Sequence, residues 1–182
     1  MGDELLIEDL VHSSNILLDK PFNVRKDTMK LPNGKLINRH VIEHPGAVAI
    51  IPIISDMIIL VRQFRQATGK ILLELPAGTL KKGEEPAECA ARELEEETGY
   101  KAGNLRRLFQ CYLAPGYSTE IIQFYLATNL KKTRSKPEAD EFIEVKPTTK
   151  KKILQMIASN EIEDAKTICG ILTLEHFYLE QE

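Results

Sequence analysis

The chain has 182 residues, near the size of one domain, with 43% hydrophobic and 28% charged residues, a globular composition able to bury a core. A formal charge of −3 and a pI near 5.9 argue against a general nucleic-acid binder, which carries a basic excess. No apolar run approaches the ~20 residues that span a bilayer, the acidic Met1-Gly2-Asp3-Glu4 start does not suit a signal peptide, and three cysteines without ligand spacing (Cys89, Cys111, Cys169) read as reduced thiols of a cytoplasmic protein.

In chain order, residues 1–44 are polar. Asn23 to Leu31 and Leu36 to Glu43 alternate loosely about the turn signal Pro32-Asn33-Gly34-Lys35, which predicts a β-hairpin. The continuous apolar run Ala47 to Ile54 predicts a strand buried on both faces. Met57 to Phe64 and Ile71 to Leu75 predict two more, the last stopped by Pro76. Pro86 to Thr98 is helical in character with Gly99 as its C-terminal stop. Strands are expected near 105–113, 121–128 and 142–146, and Lys131 to Glu141 reads as a mobile polar loop. Two C-terminal helices follow. The first is capped by Thr148 or Thr149, built on Ile153, Met156 and Ile157, and ended by Asn160. The second runs from about Glu163 to Tyr178 on Ala165, Ile168, Cys169 and Leu172.

The helix over 86–98 carries the chemistry. On a helical wheel Ala87, Ala90, Ala91, Leu94 and Thr98 form a sector that can pack on a sheet, and Glu88 and Glu95 face water. Arg92, Glu93, Glu96 and Glu97, joined by Cys89, form a third sector. Carboxylates at i, i+3 and i+4 repel and destabilise an isolated helix by a few tenths of a kcal/mol, or about that, per pair. A hard divalent cation compensates such a cluster and can bridge phosphate oxygens. Taken alone, a glutamate-rich helix is more often a solvated face. The loop before it changes the balance, because Gly78 and Gly83 permit tight turns that bring main-chain carbonyls and Glu84 toward the acidic sector.

Gly78, five residues, Glu84, seven residues, then Arg92-Glu93-Leu94-Glu95-Glu96-Glu97-Thr98-Gly99-Tyr100 resembles the Nudix box, G-x5-E-x7-R-E-U-x-E-E-x-G-U with U bulky and apolar. The resemblance implies an α/β fold: a Nudix α/β/α sandwich with a mixed sheet over residues 45–182, preceded by an N-terminal antiparallel β extension over 1–44. It implies hydrolysis of a nucleoside diphosphate linked to another moiety. Glu93, Glu96 and Glu97, with the carbonyl of Ala77, would bind Mg²⁺ (or Mn²⁺) or position its waters. Arg92 would orient the glutamates.

Outside the box, further stretches resemble the ADP-ribose pyrophosphatase subfamily. Ala114-Pro115-Gly116-Tyr117-Ser118-Thr119-Glu120 resembles its S-P-G-x-S-x-E stretch, which would set Gly116, Ser118 and Glu120 near substrate or metal. Val61-Arg62-Gln63-Phe64-Arg65 resembles V-x-Q-x-R, whose last arginine, Arg65, would contact phosphate or nucleotide. Glu74-Leu75-Pro76-Ala77-Gly78 resembles E-x-P-A-G. The N-terminal extension resembles one through which these enzymes form homodimers, which would let Arg39 reach a substrate shared between subunits. Glu141, with Glu138 as second choice, would be the general base.

Two departures stand out. Ala114 replaces a serine of many relatives, and the chain has no tryptophan, leaving Phe22 or Tyr117 as candidates to stack a base. The alternatives are a hydrolase of another nucleoside diphosphate sugar, such as GDP-mannose, and a sensor that binds ADP-ribose without cutting it. Neither nucleic acid nor a membrane is an expected partner.

Overall fold

A computed structural model describes residues 6–18, 22–135 and 141–178. The chain divides into two compact units: residues up to Gly46 with Tyr112–Ile121, and Ala47–Cys111 with the chain from Ile122 onward.

In the first unit, β1 (Asp9–Leu18), β2 (Asn23–Lys30) and β3 (Leu36–Glu43) form an antiparallel sheet in the order β1-β2-β3. The expected hairpin is β2–β3, with Leu31 and Gly34 closing its turn. β1 was not legible as a strand because every one of its side chains is exposed, so no buried face imposed alternation. The stretch Tyr117–Thr119 adds to β3: Ile42 donates its N–H to the Tyr117 carbonyl at 2.8 Å, and Thr119 donates to the Ile42 carbonyl at 3.0 Å.

The second unit is built on a mixed sheet. β4 (Ala47–Ile54) runs parallel to β10 (Ile121–Thr128), while β12 (Ile143–Thr149), β5 (Met57–Arg65) and β6 (Lys70–Glu74) pair antiparallel. β9 (Asn104–Tyr112) flanks β10. β4 and β5 pair only near their connecting turn, at Ile53↔Ile58 and Ile54↔Met57. Beyond it they part, and the short β7 (Ala77–Thr79) pairs with the start of β4. The chain between β6 and β7 crosses this gap, fixed by the Ile50 N–H donating to the Pro76 carbonyl at 2.8 Å. β7 lay within the segment read as loop. β8 (Tyr100–Lys101) and β11 (Lys131–Lys132) form a small ladder, so the expected polar loop is partly paired, and residues 136–140 lie outside the described residues.

Helices lie on both faces of this sheet. α1 (Pro86–Thr98) packs Cys89, Ala90 and Leu94 on Val48 and Ile50 of β4 and on Tyr125 and Ala127 of β10. The neighbouring β10 residue Phe124 points the other way, since side chains alternate along a strand, and meets Gly170 of α3 (Ala165–Phe177). Burying each large apolar side chain contributes about 1.5–3 kcal/mol. α2 (Lys150–Ala158) is capped by Thr149, whose hydroxyl accepts from the Lys152 N–H at 3.4 Å. Asn160, φ 62°, takes the left-handed conformation expected where this helix stops. Among the described residues no helix is long and apolar enough to cross a membrane.

Two helix faces differ from the wheel reading. α1 buries Cys89, Ala90, Glu93, Leu94, Glu97 and Thr98, while Ala87 and Ala91 are exposed. Two of the carboxylates thus lie on the packed stripe, and the alanines take their place in water. α3 buries Thr167, Gly170, Ile171 and Leu174. Ile168 and Cys169 are only half-buried and Leu172 is exposed, because the small Gly170 lets the helix approach Phe124 on a face rotated from the apolar pattern.

Candidate active site

α1 is started by Pro86, which fixes φ where no N–H is needed, and stopped by Gly99, φ 69°, whose N–H donates to the Glu95 carbonyl at 3.0 Å. This frames Arg92–Glu97 beside β7. Glu93 and Glu97 are 8% and 4% exposed. Glu93 fits only because residue 78 is glycine: a Cβ there would lie 2.0 Å from the Glu93 carboxyl carbon. The Ala77 N–H donates to Glu97 Oε2 at 3.2 Å.

Arg92 gathers the acids. Its Nε and Nη2 fork the two oxygens of Glu84 at 2.7 and 3.0 Å, and its Nη1 donates to Glu93 at 2.7 Å and Glu96 at 2.9 Å. A planar guanidinium suits this fork, which a lysine could not reproduce. Arg92 holds the Glu84 carboxyl down at about 2. Burial pushes Glu93 up to about 6, with Glu96 and Glu141 adding to the rise against the pull of Arg92. Burial, then the charges of Glu93 and Glu141, push Glu97 up to about 8, opposed by the Ala77 N–H and Arg65. Cys89 joins the apolar core with its thiol pushed up to about 12, first by burial.

This donor set fits a hard divalent cation. Glu93 and Glu97 stay raised by desolvation and mutual repulsion despite Arg92 and Arg65, so added positive charge is favoured there, and carboxylate oxygens with the Ala77 carbonyl are the ligands such ions take. Among the described residues, no three acidic groups already converge in ligating positions. Arg92 holds Glu93 and Glu96 instead.

Beyond the box, Arg65 donates from Nε and Nη2 to the two oxygens of Glu74, both at 2.8 Å. Its charge acts on Glu97 as well. The structure thus brings Arg65, Ala77, Arg92, Glu93, Glu96, Glu97 and Glu141 into one neighbourhood of the second unit. Glu138 lies outside the described residues. Arg39, Gly116, Ser118 and Glu120 belong to the first unit. There Arg39 pairs with Glu8 at 2.6 Å, the Ser118 hydroxyl accepts from the Glu120 N–H at 3.2 Å, and Glu120 lies 3.8 Å from His44. Nothing within 4 Å would meet a side chain at Gly116. Phe22 stacks on His44, ring centroids 5.2 Å apart.

Sequence reasoning passed over Asp164, Lys166 and Thr167. Asp164 caps α3, accepting from the Thr167 N–H at 3.0 Å. Lys166 is 8% exposed and donates to Glu74, and the Leu75 N–H donates to the Thr167 hydroxyl at 2.7 Å. An acid before a helix followed three residues later by threonine is a readable cap, but the burial of Lys166 leaves no mark in the sequence.

Residues 43–169 match the NUDIX domain. The chain belongs to this family and is a Nudix pyrophosphohydrolase. It is 40% identical to the ADP-ribose pyrophosphatase of Bacillus subtilis (strain 168), covering 93% of this chain and 94% of that protein. It is 36% identical to the methanol dehydrogenase activator of Bacillus methanolicus, covering 94% and 95%. A crystal structure of an ADP compounds hydrolase superposes with a TM-score of 0.82, at 21% identity and 92% coverage of each chain. That likeness concerns the fold.

Proposed function

We propose that the protein hydrolyses the pyrophosphate of ADP-ribose to AMP and ribose 5-phosphate, using a divalent cation, Mg²⁺ or Mn²⁺. The observation that carries this reading is the pair of buried carboxylates Glu93 and Glu97 beside Gly78 and Arg92. Such a pair is costly without a cation and is useful with one. The choice of ADP-ribose is supported by the relative of that activity, which aligns along nearly the whole of both chains.

Glu93, Glu96, Glu97 and the Ala77 carbonyl would hold the cation, which when bound neutralises charge on the pyrophosphate and acidifies water. Arg92 keeps the glutamates in place. Arg65 meets a phosphate oxygen with the part of its guanidinium that Glu74 does not engage. Glu141 takes the proton of the attacking water. One oxygen–phosphorus bond forms as the bridging one breaks, and the proton delivered to Glu141 passes to solvent. Gly116, Ser118 and Glu120 contribute to substrate binding.

The working form is a homodimer joined through the N-terminal strands, which would bring Arg39 to a shared substrate. The exposed Leu10, Val11, Ile16, Leu17 and Leu18 of β1 support this, since apolar clusters of that kind mark interaction surfaces. The three free thiols suit the reducing cytoplasm.

The test is a substrate panel with Mg²⁺: ADP-ribose, GDP-mannose, dinucleoside polyphosphates and NADH. Preferred release of AMP from ADP-ribose is expected. Turnover of another member with none of ADP-ribose would overturn the substrate assignment.

A further inference from the structure

Four charged side chains meet where the chain leaves β6. Glu74, 1% exposed, offers one oxygen to Arg65 Nε and the other to both Arg65 Nη2 and Lys166 Nζ. Lys166 also lies 3.0 Å from Asp164. Burial of Glu74 is outweighed by these two cations, so its carboxyl stays below the usual range.

A buried ionic cluster of this kind is no better for stability than apolar packing of the same volume. Its value lies in position. Lys166 is enclosed, whereas the Arg65 side chain keeps 39% exposure and lies in the field of Glu97 as well as Asp164. Arg65 is thus the member that extends from the buried cluster toward the acidic site. Without Lys166, Glu74 and Asp164 would have Arg65 as their nearest cation, and the guanidinium would be drawn inward.

We propose that Lys166 is a positioning residue that shares Glu74 with Arg65 and so keeps part of the Arg65 guanidinium open to a substrate phosphate. The inference rests on the pyrophosphatase reading, in which Arg65 meets phosphate. It extends the site to the first turn of α3, on the opposite side of the sheet from the glutamates. The Thr167 hydroxyl bonded to the Leu75 N–H anchors the same crossing.

The experiment compares wild type, Lys166→Met and Lys166→Arg by steady-state kinetics on ADP-ribose with Mg²⁺ and by thermal melting. The ¹⁵Nε resonance of Arg65 is recorded without substrate. Lys166→Met is expected to raise KM roughly tenfold, the scale of one weakened charge-assisted hydrogen bond, with kcat within about twofold. Its Arg65 Nε resonance moves, and Lys166→Arg restores both. If Lys166→Met melts below the assay temperature, Lys166→Gln replaces it. An unmoved Nε resonance, or unchanged KM in an active enzyme, overturns the assignment. Should the wild type cut no ADP-ribose, the functional reading fails, and the substrate-free resonance still decides the part played by Lys166.

Discussion

The Glu93 carboxyl fills the space where a side chain on Gly78 would begin, 2.0 Å from the ideal Cβ position. The crowding atoms are the end of a flexible side chain, so Gly78→Ala is expected to displace Glu93 while leaving the fold intact. Turnover should drop about 10²-fold, the scale of losing one preorganised group, with little change in Tm. Gly170→Ala is the contrast. Its Cβ would meet Leu75 and Phe124 at 2.8 and 3.0 Å inside the core, which costs about 1–3 kcal/mol of stability and spares the activity of the folded fraction. Melting curves and kcat on both variants separate the two cases.

Glu97 makes stability depend on pH. Its carboxyl is raised from 4.5 to about 8 in the folded protein. The folded state therefore binds the more protons between these values, and stability falls as pH rises through that window. Below it, both states are protonated and no penalty exists. Metal-free Glu97→Gln should lose much of this fall, and a divalent cation should raise Tm more at pH 8 than at pH 5 because it favours the ionised form. Scanning calorimetry across that range, with and without Mg²⁺, measures both. A slope unchanged by Glu97→Gln would sink the account.

The sequence made the chemistry legible and the packing less so. Gly78, Glu84 and the Arg92–Tyr100 run have fixed spacings set by one turn and one helix, and such local geometry survives in a string of letters. Core strands were legible from apolar runs such as Ala47–Ile54, whereas their order in the sheet, set by pairing between distant segments, was not. β1 escaped because an exposed strand needs no alternation. The packed faces of α1 and α3 differ from the apolar pattern because polar side chains occupy part of each. Glu97, Thr167 and Lys166 are buried against partners from β6 and the chain that follows it, Ala77, Leu75 and Glu74, and no local pattern records a partner.

Arg92 should be replaceable by neither lysine nor alanine. Its fork holds Glu84 down at about 2 from 4.5. A depressed carboxylate stabilises the fold above 4.5 and loses that contribution as pH falls toward 2. With Arg92→Lys the folded value should rise toward 4.5, so the contribution is smaller and is gone at higher pH, seen as an upward shift of the acid-unfolding midpoint by circular dichroism. Freed from its Nη1 bonds, the pair Glu93 and Glu96 should also lower kcat. An unchanged acid limb would show that Glu84 owes its shift to something else.

If the N-terminal sheet joins two subunits, Leu17→Glu on the exposed face of β1 should convert the dimer to monomer in sedimentation experiments. A monomeric wild type would end the proposal directly. The substitution lies on a strand without buried side chains, so the fold of the chain should be retained.

Glu141 offers the sharpest separation of two physical roles, because its charge raises both Glu93 and Glu97. As the base, its loss in Glu141→Gln removes the acceptor for the water proton. General-base removal costs about 10²–10⁴ in rate, so kcat should fall on that scale with KM little changed. As a neighbouring charge alone, its loss would leave kcat high and only move the pH profile toward acid, since Glu93 and Glu97 would ionise more readily. The pH dependence of kcat in the presence of Mg²⁺ distinguishes the two. The expected result is a large fall in kcat across the whole profile. A full-height profile displaced to lower pH would assign the proton to another acceptor and leave Glu141 an electrostatic neighbour of the buried pair.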